Sequence, residues 1–159
     1  MDTIHKYRTV ARWTSGQTGL AKSESAPVDI RFCAPPEFGG LDGYWTPEDL
    51  LLAALGSCFA ITFRGIAGRS KFDYSDLQVE VEGTVSKGES GFAFSEIIFR
   101  PTLTIDDKAK RDRALSLLQK TKTACLVSKA LAVPPSLDPR LEVRNAVSEA
   151  SPPYAHLDS

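Results

Sequence analysis

The sequence predicts an α+β fold around one central helix, and three observations carry that reading. Residues 77–85 alternate apolar and polar side chains over a full strand length, the pattern of a strand with one buried face. Thr46-Pro47-Glu48-Asp49 opens a long apolar run with a nearly complete helix start signal. After Asp106, the residues Ala109, Ala114, Leu117, Leu118 and Thr121 recur at helical spacing. The expected order is βββ-α-ββ-α-α-β, with hairpin-paired strands.

Each element follows from local chemistry. Thr3 to Trp13 is rich in β-branched and aromatic residues and predicts a strand. Gly16 and Gly19 break it and supply the positive φ that a hairpin turn uses. Val28-Asp29-Ile30-Arg31-Phe32 alternates again and predicts a strand with one buried face. Ala34 to Tyr44, with two prolines and three glycines, is a loop.

In the first helix Thr46 is the N-cap, Pro47 takes the first position, and Asp49 completes a capping box. Its apolar residues cover nearly the whole circumference, so burial on every side is expected, with an end near Gly68. Leu77 to Val85 and Ala93 to Ile105 form two long strands about a turn at 87–91. Asp106 or Asp107 caps the second helix, which runs to about Lys122. A short helical piece is expected from Cys125 to Leu131, then a last strand at Leu141-Glu142-Val143. Residues 1–147 are read as one domain and 148–159 as a flexible tail.

Composition excludes several classes of function. The 19 Lys+Arg against 20 Asp+Glu leave a net charge of −1, which argues against a nucleic-acid or anionic-membrane binder. Three cysteines, Cys33, Cys58 and Cys125, are too few and too widely spaced for a disulfide scaffold or a structural zinc site. No metal or organic cofactor is implied. The longest apolar stretch, Leu50 to Phe63, has 14 residues, below the ~18 that suggest a membrane span. Without an apolar signal region after Met1, a cytoplasmic protein with reduced thiols is expected.

The thiols are the chemical candidates. Cys58 lies amid the most apolar helix and, taken alone, reads as a small core residue. Cys125 follows a polar run at an expected helix start, where the dipole favours thiolate. Cys33 ends a strand beside Pro35-Pro36 and reads as structural. Glu48, in a first helical turn, has capping as its plain role, and Arg31 on a strand would ordinarily be solvated. The basic run Lys108, Lys110, Arg111 and Arg113 reads as a wet helix face.

The stretch from Trp45 to Phe59, with its Pro-Glu-x-Leu-x-x-Ala-x-x-x-Cys pattern, resembles the signature helix of the OsmC/Ohr family of osmotically inducible and organic-hydroperoxide-resistance proteins. The family's second cysteine lies in a Cys-Pro-x-Ser-like segment, and Cys125-Leu126-Val127-Ser128 is similar, with Leu126 in place of the proline. The resemblance runs from about Tyr7 to Val143.

The resemblance implies the OsmC-like fold, antiparallel sheets packed around a long central helix in an intertwined homodimer. It also implies a thiol-dependent peroxidase that reduces alkyl or fatty-acid hydroperoxides. Cys58 would attack the peroxide and become a sulfenic acid, and Cys125 would condense with it to a disulfide. A dithiol, such as a lipoyl protein, would reduce that disulfide. A free thiol with pKa ~8.5 is only a few per cent ionised at neutral pH, so an activating arginine held by a carboxylate is expected. Glu48 matches the carboxylate by position. The first-turn arginine of the Ohr branch is replaced by Gln17, so the resemblance transfers that role to Arg31 and favours an OsmC-like branch. Ten residues along a helix is about 15 Å, so Glu48 cannot reach Cys58 on its own straight helix, which favours a site shared with a second copy. The rival functions on the same fold are binding of an apolar ligand and redox sensing.

Overall fold

In the computed structural model, residues 3–144 are described, and they order as βββ-α-ββ-α-ββ. The expected tail at 148–159 lies outside the described residues. Among the described residues two compact units are distinguished, 3–54 and 55–144.

The first unit is a three-stranded antiparallel sheet of β1 (Thr9–Ser15), β2 (Thr18–Ser23) and β3 (Ala26–Cys33). The first strand begins six residues later than the sequence predicts, and β2 occupies the polar stretch before Val28. Gly16 turns the β1–β2 hairpin with φ +55°. The register aligns Trp13 with Gly19 and Gly19 with Phe32, and a Cβ on Gly19 would lie 2.3 Å from the Phe32 ring. Glycine there lets the ring lie across the middle strand.

By the two-residue alternation, Trp13, Val28, Ile30 and Phe32 share one apolar face. That face was expected to be buried, yet Trp13 is 69% and Val28 77% exposed. Alternation specifies a face but not what covers it. Arg31 lies on the opposite face, in register with Leu20 and Arg12.

The helix α1 (Pro47–Arg69) starts and stops where its caps predict. The Thr46 hydroxyl accepts the Asp49 amide at 3.1 Å, while the Asp49 carboxylate accepts the Thr46 amide at 3.0 Å and hydroxyl at 2.8 Å. Burial on every side was expected, but the buried residues form one stripe, Leu55, Phe59, Phe63 and Ala67, and Ile61 is 73% exposed. At 23 residues, with polar interruptions included, α1 is also long and apolar enough by length and composition to cross a membrane, which the 14-residue run did not suggest.

The second unit is dominated by the hairpin of β4 (Asp76–Gly88) and β5 (Gly91–Ile105). The register places Val81 opposite Phe99 and Leu77 opposite Leu103, so the apolar residues of both strands share one face as the alternation predicts. Phe59 meets that face, its ring 4.8 Å from Phe99, and Phe63 contacts Tyr74 edge-on at 5.1 Å. A Cβ on Gly56 would come within 3.2 Å of Val81, so a glycine permits the close approach of helix to strand.

Asp107 caps a short 3-10 turn at Lys108–Lys110, which leads into α2 (Arg111–Ala124). Ala114, Leu117, Leu118 and Thr121 are its buried face as expected, whereas Ala109 falls in the preceding turn and is exposed. Two strands follow, β6 (Ser136–Leu137) and β7 (Arg140–Val143), both parallel to β5 rather than hairpin-paired. The intervening α2 is the crossover that carries the chain back to the same end of the sheet.

Candidate active site

Cys58 sits midway along α1, one residue before the buried Phe59, and is therefore turned partly out of the core. Four residues on, Thr62 occupies the same helix face, and its hydroxyl lies 4.0 Å from the Cys58 sulfur. Thr62 was not singled out in the sequence, although the i,i+4 spacing from a cysteine was the available signal.

Cys125 does not begin a helix, as its sequence context predicts; it is the C-cap of α2. Its amide donates to the Thr121 carbonyl at 2.9 Å, closing the last turn. There the helix dipole is negative and disfavours a thiolate, the reverse of the expected effect. The polar run before Cys125 forms the last turns of α2, where the buried Thr121 stands among exposed polar residues and the stretch imitates a loop in sequence. The expected helix 125–131 reduces to a 3-10 turn at Ser128–Ala130, held by the Ser128 hydroxyl donating to the Cys125 carbonyl at 2.9 Å.

This turn brings the two thiols together. Both are free, and each shifts the ionisation of the other. Burial pushes the Cys58 thiol up, but the bonds it receives outweigh that. They come from the Val127 amide, the Cys125 thiol, the Thr62 hydroxyl and the Leu126 amide, and they bring Cys58 below the ordinary thiol value. Cys125, fully buried, is pushed up by burial despite bonds from Ser128, and its bond to Cys58 and the Cys58 charge push it further. One thiol is thus prepared to ionise and its neighbour to keep its proton.

The remaining predicted residues belong to the first unit. The hydrogen-bonded caps at the start of α1 are made by Thr46 and Asp49, while Glu48 lies in the first turn as expected, where its carboxylate faces the positive end of the dipole. One Glu48 carboxylate oxygen is buried with no hydrogen-bond partner among the described residues. Arg31 is exposed and lies over the Tyr44 ring at 5.5 Å. Cys33 is fully buried and accepts the Leu41 amide at 3.3 Å, in keeping with a structural reading.

Residues 40–140 match the family described as OsmC-like protein. Over 130 residues the chain is 28% identical to the uncharacterized protein YmaD of Bacillus subtilis (strain 168), spanning 80% of this chain and 87% of that one. It is 26% identical over 146 residues to the peroxiredoxin OsmC of Escherichia coli (strain K12), spanning 88% and 99%. Among solved structures, an organic hydroperoxide resistance protein from Elizabethkingia anophelis with thiocyanate bound aligns with a TM-score of 0.73 at 21% identity. That alignment covers 91% of this chain and 100% of the other, a likeness of fold.

Proposed function

The chain belongs to the OsmC-like protein family, and on that premise we propose that it is a cysteine-based peroxidase for organic hydroperoxides. The names of relatives, a peroxiredoxin and an organic hydroperoxide resistance protein, support this reading. The observation that carries it is the Cys58–Cys125 pair, two free thiols that act on each other's ionisation and are shifted in opposite directions.

In the first step the Cys58 thiolate attacks the distal oxygen of R–O–OH. The O–O bond breaks, sulfur is oxidised to the sulfenic acid, and the leaving alkoxide takes a proton to become the alcohol. The protonated Cys125 is a donor at hand. As Cys58 loses its negative charge, one of the effects that held Cys125 protonated is removed, burial remaining, so Cys125 becomes easier to ionise as its target forms. The S–S bond then replaces S–OH, which leaves as water or hydroxide. A dithiol returns both sulfurs to the reduced state, consistent with a cytoplasmic setting.

The same proposal assigns residues 1–147 to one domain completed by a second copy. The open apolar face with Trp13 and Val28 in the first unit supports it, as does Ile61 exposed on α1. Glu48, with its unpartnered oxygen, would orient an arginine toward the thiolate, and Arg31 is the residue assigned that part.

The purified chain should consume cumene hydroperoxide faster than hydrogen peroxide with a dithiol present, and Cys58→Ser should abolish turnover. A wild-type protein that leaves cumene hydroperoxide unconsumed would overturn the reading. Formation of the disulfide without recycling by dihydrolipoamide would point to a sensor instead.

A further inference from the structure

A cavity of about 280 Å³ opens on the polar face of the β4–β5 hairpin, and neither thiol lines it. The register sets Gln78 beside Thr102 and Thr102 beside Arg140, so one row of side chains crosses β4, β5 and β7. Glu80 and Arg100 form the next row on the same face. Arg111, the first residue of α2, and Asp138, between β6 and β7, also line the cavity.

The three arginines are not equivalent. Arg100 is saturated, with Glu82 at 3.0 Å, Asp138 at 3.3 Å and Glu80 at 3.7 Å. The guanidinium groups of Arg111 and Arg140 make no ion pair or hydrogen bond among the described residues, although Glu80 and Asp138 line the same cavity. Arg111 is also placed against its own helix. Lys110, Arg111 and Arg113 gather at the start of α2, where the dipole is already positive and a cation is unfavourable. Asp106 neutralises Lys110 at 2.7 Å, and Arg113 donates to the Ser70 carbonyl. Arg111 is left with its charge facing the cavity.

We propose that this cavity binds a small carboxylic acid, its carboxylate held by the Arg111 and Arg140 guanidinium groups and its short carbon chain against Pro139 and Leu141. A guanidinium fork matches a planar carboxylate with two parallel N–H···O bonds. The three carboxylates around Arg100 repel a polyanion, so the two unpaired arginines suit a head group of low charge. The volume lies at the small end of ligand sites, which limits the chain to a few carbons. The inference stands apart from the peroxidase reading, because neither thiol takes part.

The test titrates the ¹⁵N-labelled full chain at low salt with sodium hexanoate, sodium acetate and inorganic phosphate. Hexanoate should shift the Thr102 and Leu141 amide resonances saturably, and acetate should bind more weakly because it lacks the chain. Arg111→Gln and Arg140→Gln each replace an exposed, unpaired side chain, so both variants should fold, and each should weaken hexanoate binding about tenfold or more. Arg12→Gln, on β1, should bind as wild type does.

Amide resonances that ignore hexanoate, or equal hexanoate affinity in wild type and either cavity variant, would overturn the proposal. Phosphate bound at these amides in preference to hexanoate would overturn the carboxylate assignment. No hydroperoxide enters these measurements, so they give the same answer whether or not the thiols turn over.

Discussion

Cys58 and Cys125 lie close enough to shift each other's ionisation, and the shifts run in opposite directions. Cys58 gains anionic character from the donors around it. Cys125 is buried at the negative end of α2, and burial first, then the neighbouring Cys58, pushes its thiol up.

The sign of each shift makes a pH prediction. A lowered pKa means that Cys58 alkylation reaches half its maximal rate at a lower pH than a free thiol, and a raised one means that Cys125 reacts only at higher pH. In Cys125→Ser the hydroxyl is a replacement donor, so Cys58 should shift little. In Cys125→Ala the donor is lost and the Cys58 profile should move up. In Cys58→Ser the Cys125 profile should move down, because the neighbouring charge is gone. Alkylation profiles of the three variants check this.

Thr62→Val keeps the shape of the side chain but removes the hydroxyl beside Cys58. The thiolate fraction should fall, and by less than on loss of an amide donor, because the 4.0 Å contact is long. Thermal stability should change by less than about 1 kcal/mol, since no buried polar group is left unpaired. A circular-dichroism melt with an alkylation profile separates the two effects.

The capping box and Glu48 separate stability from chemistry. Thr46→Ala removes the acceptor for the Asp49 amide and should cost about 1 kcal/mol in urea unfolding. Glu48→Gln touches no hydrogen-bonded cap, so it should leave unfolding nearly unchanged while slowing the reaction of Cys58 with cumene hydroperoxide. Equal rates for Glu48→Gln and wild type would remove Glu48 from the proposed machinery.

Phe59 joins α1 to β5 through its ring contact with Phe99. Phe59→Ala should cost about 3–5 kcal/mol, read as a lower urea midpoint with an unchanged slope.

The open face of the first sheet predicts assembly. Val28→Lys alters a side chain that is 77% exposed, so a monomer would tolerate it within about 0.5 kcal/mol. If a second copy covers this face, wild type should sediment at twice the chain mass and Val28→Lys at the chain mass. Equal masses for both proteins would exclude this face from the interface.

The sequence by itself determined the start and stop of α1, the register faces of β4 and β5 and the buried stripe of α2, and it singled out the two thiols of the proposed site. These rest on local chemistry: caps between residues three apart, alternation with period two, helical spacing, and a motif contained in fifteen consecutive residues. It misread Cys125, because a helix end and a helix start beside a polar run look alike until the hydrogen bonds are known. It also missed the parallel pairing of β6 and β7 and the donors from Thr62, Leu126 and Val127. Those depend on where a crossover helix returns the chain, and on residues some 65 positions apart meeting around one sulfur. Only tertiary structure decides such meetings, because the energy of a hydrogen bond or a buried thiol depends on its neighbours in space and not on those in sequence.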